Sequence, residues 1–320
     1  MPAKLVAVTD SVFPNLDPAR EVLARIGAEL RLAEPVPRDA DAILTTYAKL
    51  SAGLIQELKQ CRIIARFGIG VDNVDIPAAT QAGIVVTRVP DYCLDEVSDH
   101  TMALLLALAR KIPSSNARTQ SGRWEMRAVI PIRRLRGTVL GLVAFGHIPQ
   151  LVAPKAQAFG IRVVTYDPYV SKQVAERAGV EQVEFDELLK ISDYISIHTP
   201  LLPATHHLFN ADVFRRMKPT AYLINTARGP IVHEAALADA LDQGHLAGAA
   251  LDVMEQEPPS GSSPLFGRDN VIITPHTSYY SEESLVDLQT KAAEEVVRVL
   301  TGQAPRNPVN PEALKTASAS

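Results

Sequence analysis

Hydrophobic and polar positions alternate along the chain in the manner of a parallel α/β protein. Short runs of consecutive apolar residues predict buried parallel strands, and segments with apolar residues every three or four positions predict amphipathic helices. In the first ninety residues the predicted strands are 5–8, 29–32, 42–44, 62–66 and 84–87. The predicted helices between them are 18–26, 51–59 and 77–82. This alternation predicts one small α/β domain whose sheet is covered by helices on both faces.

A long, mostly apolar helix is predicted to follow this domain. It runs to about Lys111, and either Asp95 or Ser98 can cap its N-terminus. Because it is apolar over most of its faces, we expect it to be buried between two domains. Residues 113–137, which include the only tryptophan, are expected to form a loop.

The strand and helix alternation starts again at residue 138 and predicts a second α/β domain. The predicted strands are 138–145, 161–166, 194–198, 221–225, 247–253 and 271–274. The predicted helices are 148–159, 185–191, 212–217, 234–243 and 282–300. The last helix is expected to return to the first domain, which makes that domain discontinuous. We therefore expect one domain from residues 1–98 and 283–320 and another from 99–282, with a weakly ordered tail over 301–320.

Residues 138–167 have the order strand, tight turn, helix, strand and acid, which is typical of a dinucleotide-binding unit. Helix N-terminal N–H groups attract a pyrophosphate, and a carboxylate such as Asp167 accepts bonds from ribose hydroxyls. Of the three glycines in G-x-G-x-x-G, the chain keeps only Gly146, with Ala144 and Pro149 at the other two positions. On this stretch alone, a βαβ unit that binds no nucleotide remains an alternative.

Three further motifs place a polar residue just beyond an apolar strand, where ligands bind in doubly wound sheets. They are NTARGPIV with Arg228, AALDVMEQEP with Glu257, and ITPHTSYYSEES with His276. An arginine can hold a carboxylate and a carbonyl, a histidine can protonate that carbonyl, and a carboxylate can orient the imidazole. The three types together suit reduction of a 2-oxo acid. Taken singly, each residue has another interpretation: Arg228 could belong to a structural ion pair, His276 could be structural, and Glu257 could be a solvated loop acid.

Composition narrows the class of protein. With 47% hydrophobic and 21% charged residues, the 320-residue chain is long enough for two globular domains. A net charge of −4 argues against a nucleic-acid partner. Its two cysteines predict neither a disulfide framework nor a metal site. Without a leader pattern or a bilayer-spanning apolar run, we expect a cytoplasmic protein that does not bind membranes.

These motifs, in this order and spacing, resemble the D-isomer-specific 2-hydroxyacid dehydrogenase family over nearly the whole chain. The resemblance rests on GVDNVDIPAAT, PDYCLDEVSDHT, LINTARGPIVHEAAL, AGAALDVMEQEPP and ITPHTSYYSEESL. PDYC and YYSEESL look most like the branch near C-terminal-binding protein and its bacterial dehydrogenase relatives. The resemblance implies two Rossmann-like domains, a discontinuous flavodoxin-like one for substrate and a doubly wound one for NAD, and a homodimer.

The resemblance also implies site roles. Arg228 would hold the substrate carboxylate and carbonyl, and His276, paired with Glu257, would be the acid/base. The backbone amides of Ile69 and Gly70 would clamp the substrate carboxylate. The side chains of Arg66 and Tyr279 would also lie near the substrate. The branch more often has tryptophan at the position of Tyr279.

Cofactor contacts are implied in the same way. Asp252 would contact the nicotinamide carboxamide, beside His276, and Asp167 would bind the adenosine ribose. The pyrophosphate would be bound by Gly146 and by the N–H groups of His147 and Ile148. The family commonly has arginine at the position of His147. Further contacts are implied for four positions on strand-end loops: Thr199, Pro200, Thr205 and Ala227.

Two classes of function follow. The first is an NAD(H)-dependent oxidoreductase that interconverts a small 2-oxo acid and its D-2-hydroxy acid, with a short phosphoglycerate dehydrogenase as an alternative to it. The second is a dinucleotide-sensing, corepressor-like binding protein whose turnover is incidental. The altered phosphate loop favours the second, and the intact arginine, glutamate and histidine favour the first.

Overall fold

The computed structural model describes residues 3–316, which fold as two compact α/β units. One unit contains the chain up to Cys93 together with the chain from Tyr280 onward, and the other contains Leu94–Tyr279. The boundaries were expected after residues 98 and 282. The first lies earlier because the whole helix Leu94–Arg110 belongs to the second unit. The second lies earlier because Ser281, which caps the last long helix, belongs to the first unit.

The first unit is built on a five-stranded parallel sheet. Its strands are β1 (Leu5–Val8), β2 (Glu29–Leu32), β3 (Ala42–Thr45), β4 (Ile63–Arg66) and β5 (Val85–Thr87). Its first helices are α1 (Asp17–Ala24), α2 (Ala52–Glu57) and α3 (Ile76–Gln81). The strand order is β2-β1-β3-β4-β5, the flavodoxin-like order. Four of the five strands are buried throughout, as expected for strands covered on both faces.

The second unit contains seven parallel strands and seven α-helices among the described residues. The strands are β6 (Val139–Val143), β7 (Arg162–Tyr166), β8 (Glu181–Gln182), β9 (Tyr194–Ile197), β10 (Tyr222–Asn225), β11 (Gly248–Leu251) and β12 (Val271–Ile273). The helices are α4 (Leu94–Arg110), α5 (Ile112–Gln120), α6 (His147–Ala158), α7 (Lys172–Arg177), α8 (Phe185–Ile191), α9 (Ala211–Arg216) and α10 (Glu234–Asp242). The order β8-β7-β6-β9-β10-β11-β12 reverses direction between β6 and β9, where a doubly wound sheet binds its ligand.

Helix α4 is buried along the side that packs within the second unit, and its expected burial between two domains stays a prediction. Within the second unit it packs against α6 and against strands β10 and β11. Its apolar face includes Met102, Leu105 and Leu108, which join Leu140, Val152 and other residues in one hydrophobic cluster. Polar residues of the same helix, His100 and Thr101, therefore lie close to the strand-end loops of this sheet.

The segment expected to be a loop, 113–137, begins with a helix. Residues Ile112–Gln120 form α5, and Met126–Val129 form a single 3₁₀ turn. Neither has a buried residue. Burial against this unit does not explain the helix, and the sequence carried no apolar periodicity that could have predicted it.

The C-terminal chain is more ordered than its composition predicted. Helix α11 (Glu282–Leu300) packs on α1, and a short helix α12 (Ala313–Thr316) follows. Between them, the N–H of Val309 donates to the carbonyl of Val86. Asn310 is fully buried, and its side chain bonds the N–H of Val86 and the carbonyl of Ile84. These long-range bonds make the expectation of a weakly ordered tail wrong over 301–316, and residues 317–320 lie outside the described part.

Candidate active site

The turn between β6 and α6 lies at the point where the strand order of the second sheet reverses. Gly146 is the N-cap of α6 and is exposed, as is His147 at the first helical position. A Cβ atom added at Gly146 would meet no other atom within 4 Å. The space beside this glycine is therefore open. Such a helix N-terminus behind a side-chain-free cradle fits a pyrophosphate group.

The two residues that depart from the glycine fingerprint differ in conformation. Ala144 has φ 79°, a conformation that glycine adopts readily and that alanine adopts only with strain. Its N–H donates to the carbonyl of Tyr166 at 2.8 Å, which holds the turn in place. Pro149 is buried in the first turn of α6, where a missing N–H costs little. The loop has therefore kept the backbone course that a glycine would favour.

Asp167, directly after β7, stabilises the same turn. One carboxylate oxygen accepts the N–H of Phe145 at 2.8 Å, and the other accepts the N–H groups of Tyr169 at 2.8 Å and Val170 at 3.2 Å. An ionised carboxylate has about four acceptor positions, so one remains after these three bonds. Contact with an adenosine ribose stays a prediction, and the structure adds a role in shaping the loop.

The loop after β9 contains three of the positions implied to contact cofactor. Thr205 donates to the carbonyl of Pro200 at 2.6 Å and accepts the N–H of Leu202 at 2.8 Å, which closes the loop on itself. At the end of β9, the imidazole of His198 lies 2.9 Å from the hydroxyl of Ser196. Burial lowers the pKa of His198 to about 3, so this histidine is neutral at physiological pH. It acts as a structural group under the loop.

Arg228 follows β10 in a tightly bonded turn. The side chain of Asn225 donates to the carbonyl of Arg228 at 2.9 Å and accepts the N–H of Ala227 at 3.0 Å. The next residue, Gly229, lies so close to the chain after β11 that an added Cβ would be 1.8 Å from the carbonyl oxygen of Met254. Glycine is required at this close approach. The turn of Arg228 and the segment that leads to Glu257 are therefore packed directly on each other.

The structure joins Glu257 and His276, as the sequence predicted. The Nδ1 atom of His276 lies 2.6 Å from Oε2 of Glu257, and the other carboxylate oxygen accepts the N–H of Met254 at 3.0 Å. His276 has φ 51°, in the left-handed region. Its N–H donates to the carbonyls of Asp252, at 2.8 Å, and Thr274, at 3.0 Å. A strained backbone held by several bonds is common at functional sites.

Asp252 is almost completely buried beneath the loop that carries His276. Its carboxylate accepts bonds from the hydroxyl of Thr274 at 2.5 Å and from the N–H groups of Thr277 and Ser278 at 2.9 Å each. We expected this residue to contact a nicotinamide carboxamide, and that contact stays a prediction. The observed bonds give Asp252 a second role, because they fix the backbone on both sides of His276.

Tyr279 lies on the same loop, and its ring packs edge-on to the imidazole of His276 at a centroid distance of 6.0 Å. The other implied substrate residues belong to the first unit. There the Arg66 side chain donates to the carbonyl of Phe67 at 2.8 Å. A Cβ at Gly68 would be 1.2 Å from an Arg66 guanidinium nitrogen, so the guanidinium lies against this glycine, immediately before Ile69 and Gly70.

A second histidine–glutamate pair was not predicted. His207 Nε2 lies 2.6 Å from Oε1 of Glu255, whose other oxygen accepts the N–H of Glu234 at 2.7 Å. Burial, together with the charges of Glu255 and Glu257, raises the pKa of Glu234. The cluster ties the loops after β9, β10 and β11 together. Because its members are distant in sequence, only the histidine beside an apolar strand pattern could have indicated it.

His100 and Thr101 of α4 were also missed. His100 Nε2 lies 3.0 Å from the Thr274 hydroxyl, and the Thr101 hydroxyl lies 3.1 Å from that of Thr226. Both lie in the polar first half of the helix, so nothing in the sequence set them apart from their neighbours. In residues 3–316 no group of three or more His, Cys, Asp and Glu side chains could hold a metal ion. Over the same range no helix has the length and apolarity needed to cross a membrane.

Similarity to curated proteins extends over most of the chain. It is 41% identical to a D-3-phosphoglycerate dehydrogenase of Archaeoglobus fulgidus over 87% of its own length and 53% of that protein. The chain thus spans about half the length of the first such relatives that it matches. It is 38% identical to a glyoxylate reductase of Thermococcus litoralis, covering 87% of this chain and 86% of that protein.

Solved structures share the fold of nearly the whole chain. D-lactate dehydrogenase from Aquifex aeolicus, complexed with NAD and lactic acid, matches with a TM-score of 0.87 and 30% identity, covering 95% of this chain and 99% of that one. Residues 102–278 match the family model described as D-isomer specific 2-hydroxyacid dehydrogenase, NAD binding domain. The match spans the phosphate loop, Arg228, Glu257 and His276. The chain belongs to the D-isomer-specific 2-hydroxyacid dehydrogenase family.

Proposed function

We propose that this chain is an NAD(H)-dependent oxidoreductase that interconverts a small 2-oxo acid and its D-2-hydroxy acid, with His276 as the acid/base. The observation that carries the proposal is the 2.6 Å pair between His276 Nδ1 and Glu257 Oε2. A histidine whose one nitrogen is engaged by a carboxylate keeps a fixed ring orientation and transfers protons through the other.

In the reduction, Arg228 would bind the carboxylate and carbonyl of the 2-oxo acid through its planar set of donors. Bound NADH would supply the hydride. As negative charge develops on the carbonyl oxygen, His276 Nε2 would donate a proton to it, and Glu257 would stabilise the imidazolium before transfer. In the oxidation the neutral imidazole would accept the hydroxyl proton, so the two directions have opposite pH dependence.

We further propose that the second unit binds the dinucleotide and the first binds substrate. Gly146 and the N–H groups of His147 and Ile148 would hold the pyrophosphate, and Asp167 would accept a bond from the adenosine ribose. Four loop residues would contribute further contacts to the cofactor: Thr199, Pro200, Thr205 and Ala227. In the first unit the amides of Ile69 and Gly70 would bind the substrate carboxylate.

A phosphorylated 2-oxo acid is a second candidate substrate, because Arg66 is a nearly buried cation against Gly68, next to those amides. A dianionic phosphate would offset the cost of burying this guanidinium. Unphosphorylated acids remain the first candidate, since the histidine, glutamate and arginine at the reacting carbonyl require no second anionic group. Tyr279 and Arg66 would then set the size and charge of the accepted substrate.

A homodimer is part of the proposal. The segment 121–136 has a row of apolar side chains exposed to solvent, including Trp124 at 90%, Met126 at 73% and Ile130 at 59%. Several exposed apolar side chains in one segment favour burial against another protein. We propose a second copy of the chain as that partner, because the family resemblance implies a dimer. Sedimentation should give a dimer for wild type and a monomer for Trp124→Ser, and a wild-type monomer would contradict this.

The function is tested by following NADH oxidation with glyoxylate, pyruvate, hydroxypyruvate and phosphohydroxypyruvate. Turnover of at least one is expected. The 2-hydroxy product should have the D configuration for pyruvate, hydroxypyruvate and phosphohydroxypyruvate, whereas glyoxylate gives glycolate, which has no stereocentre. A preference for the phosphorylated acid that Arg66→Gln abolishes would select the second candidate. NADH binding without turnover of any of the four would contradict the enzyme and favour the dinucleotide-sensing protein.

A further inference from the structure

Two consecutive residues of helix α4 bond to two different strand-end loops. His100 contacts Thr274, which precedes His276 by two positions, and Thr101 contacts Thr226, which precedes Arg228 by two positions. Both contacts lie within the second unit. One turn of one helix thus contacts the side chains of residues two positions before both groups that would act on the substrate carbonyl.

The bond between His100 and Thr274 has a defined direction. The Thr274 hydroxyl donates its single proton to Asp252 at 2.5 Å, so it can only accept from His100, whose Nε2 lies 3.0 Å away. His100 Nε2 therefore carries a proton. It also lies 3.6 Å from the carboxylate of Asp252, which is 1% exposed. The imidazole thus donates to the hydroxyl partner of a buried carboxylate and lies beside that carboxylate.

Asp252 connects His100 and Thr274 to the loop of His276. Its carboxylate accepts the N–H groups of Thr277 and Ser278, and its carbonyl accepts the N–H of His276. The bonds hold His276 at φ 51°, a backbone conformation that histidine adopts only when its surroundings impose it. Loss of the donor at His100 would leave the Asp252 carboxylate less well compensated and this conformation less well fixed.

Thr101 acts on the other loop. Its hydroxyl donates to the carbonyl of Val97 at 2.8 Å, so the hydroxyl of Thr226 must donate to Thr101 across the 3.1 Å contact. Both residues are buried, so a missing acceptor at Thr101 would not be replaced readily by water. Thr226 opens the turn in which Asn225 and Ala227 hold Arg228.

We propose that His100 and Thr101 are positioning residues, which separately fix the acid/base loop and the arginine loop. The inference rests on the proposed function for its kinetic consequences, but its structural claim is independent of turnover. His100 acts on a group that transfers a proton, so its loss lowers kcat. Thr101 acts on a group that binds the carboxylate, so its loss raises KM as well as lowering kcat.

The test compares two substitutions at each position. His100→Phe keeps a ring without a donor, and His100→Gln restores an N–H donor; Thr101→Val keeps the shape, and Thr101→Ser keeps the hydroxyl. Asp99→Asn, on the same turn, is the control, because this exposed side chain is paired with Lys155 of α6. Amide exchange by mass spectrometry on the full chain is measured beside steady-state kinetics.

His100→Phe should speed exchange in the peptide containing 276–279 and lower kcat roughly tenfold to a hundredfold with KM unchanged, because small displacements of a reacting group are costly. Thr101→Val should speed exchange in the peptide containing 225–229 and raise KM several-fold. His100→Gln should recover most of the activity and protection that His100→Phe loses, and Thr101→Ser should do the same for Thr101→Val. Asp99→Asn should match wild type.

Equal kinetic changes in all variants, or faster exchange throughout the unit, would mean that α4 only supports the fold and would overturn the proposal. Unchanged exchange in both peptides would overturn it as well. If wild type reduced no 2-oxo acid, the proposed function would fail, whereas the exchange rates would still decide whether the two residues hold the two loops.

Discussion

The imidazole Nδ1 of His276 and the carboxylate Oε2 of Glu257 lie 2.6 Å apart, although the two residues come from loops after different strands. Glu257 is itself held, because its second oxygen accepts the N–H of Met254. The pair is therefore fixed at both ends, with the carboxylate anchored on one loop and the imidazole on the other. The proposed proton transfer depends on this arrangement.

Glu257→Gln should lower kcat/KM for 2-oxo acid reduction by about ten- to a hundredfold, because the amide cannot stabilise an imidazolium as a carboxylate does. The protonated imidazole is then less stable, so the rate of reduction should begin to fall at a lower pH than in wild type. Steady-state kinetics over a pH series measures both effects. Glu187→Gln, an exposed acid on α8, is the control. A pH profile identical to wild type would show that Glu257 does not act on the histidine.

Ala144→Gly should stabilise the second unit. Alanine at φ 79° is strained by about 1–2 kcal/mol relative to an ordinary conformation, and glycine relieves this at an entropic cost of roughly 0.5–1 kcal/mol. Thermal unfolding should therefore occur at a higher temperature, and NADH binding should be equal or tighter. Ala158→Gly, near the end of α6, is the matched control and should destabilise.

The second departure from the fingerprint should respond in the opposite way. Pro149 is buried in the first turn of α6, so Pro149→Gly removes packing and adds freedom to the unfolded chain. A double variant with glycine at 144 and 149 should therefore be less stable than Ala144→Gly alone. A more stable double variant would mean that the loop is strained by its proline rather than by its alanine.

NADH should be preferred to NADPH by at least about tenfold in kcat/KM. In the proposed binding mode, the buried carboxylate of Asp167 would lie where the 2′-phosphate of NADPH comes, and like charges at short range repel. Asp167→Asn should reduce the preference and also weaken NADH binding, because the N–H groups of Phe145 and Tyr169 lose an ionised acceptor. Asp186→Asn serves as an exposed control on the same unit. Equal efficiency with NADPH would contradict the assignment.

His198 should make the protein less stable in mild acid. Burial lowers its pKa to about 3 from the ordinary 6.5, so below pH 6.5 the unfolded chain binds a proton that the folded chain excludes. As the pH decreases below 6.5, this group should lower the free energy of unfolding by up to about 1.4 kcal/mol per pH unit, until the pH reaches the folded-state pKa of about 3. His198→Gln lacks this contribution, so chemical unfolding at pH 7, 6 and 5 should show a shallower decline. Parallel declines would contradict the burial of a neutral imidazole.

Much of the fold could be predicted because its signals are local. The apolar runs of β6 and β9 and the periodicity of α6 gave these elements directly. The two-residue strand β8 is too short to carry a pattern. The prediction of a weakly ordered tail was wrong over 301–316 because its order depends on bonds between distant parts of the sequence, such as the bond from the Val86 N–H to the Asn310 side chain.

The site residues also divide into those with a local signal in the sequence and those without one. Arg228, Glu257 and His276 could be found because each follows an apolar strand, and parallel strands end at one edge of a sheet. The support from helix α4 could not, since His100 reaches Thr274 only through the tertiary packing of α4. A strained residue such as Ala144 is also invisible in a sequence, because its φ is a property of the folded backbone.

The most direct measurement is the rate of NADH-dependent reduction of the best 2-oxo acid by wild type and His276→Ala, with NADH affinity measured for both by fluorescence titration. We expect the variant to lose about 10²- to 10⁴-fold in kcat, the usual contribution of one general acid–base group, while its NADH affinity changes little. Retention of most of the wild-type activity by His276→Ala would contradict the assignment of His276 as the acid/base.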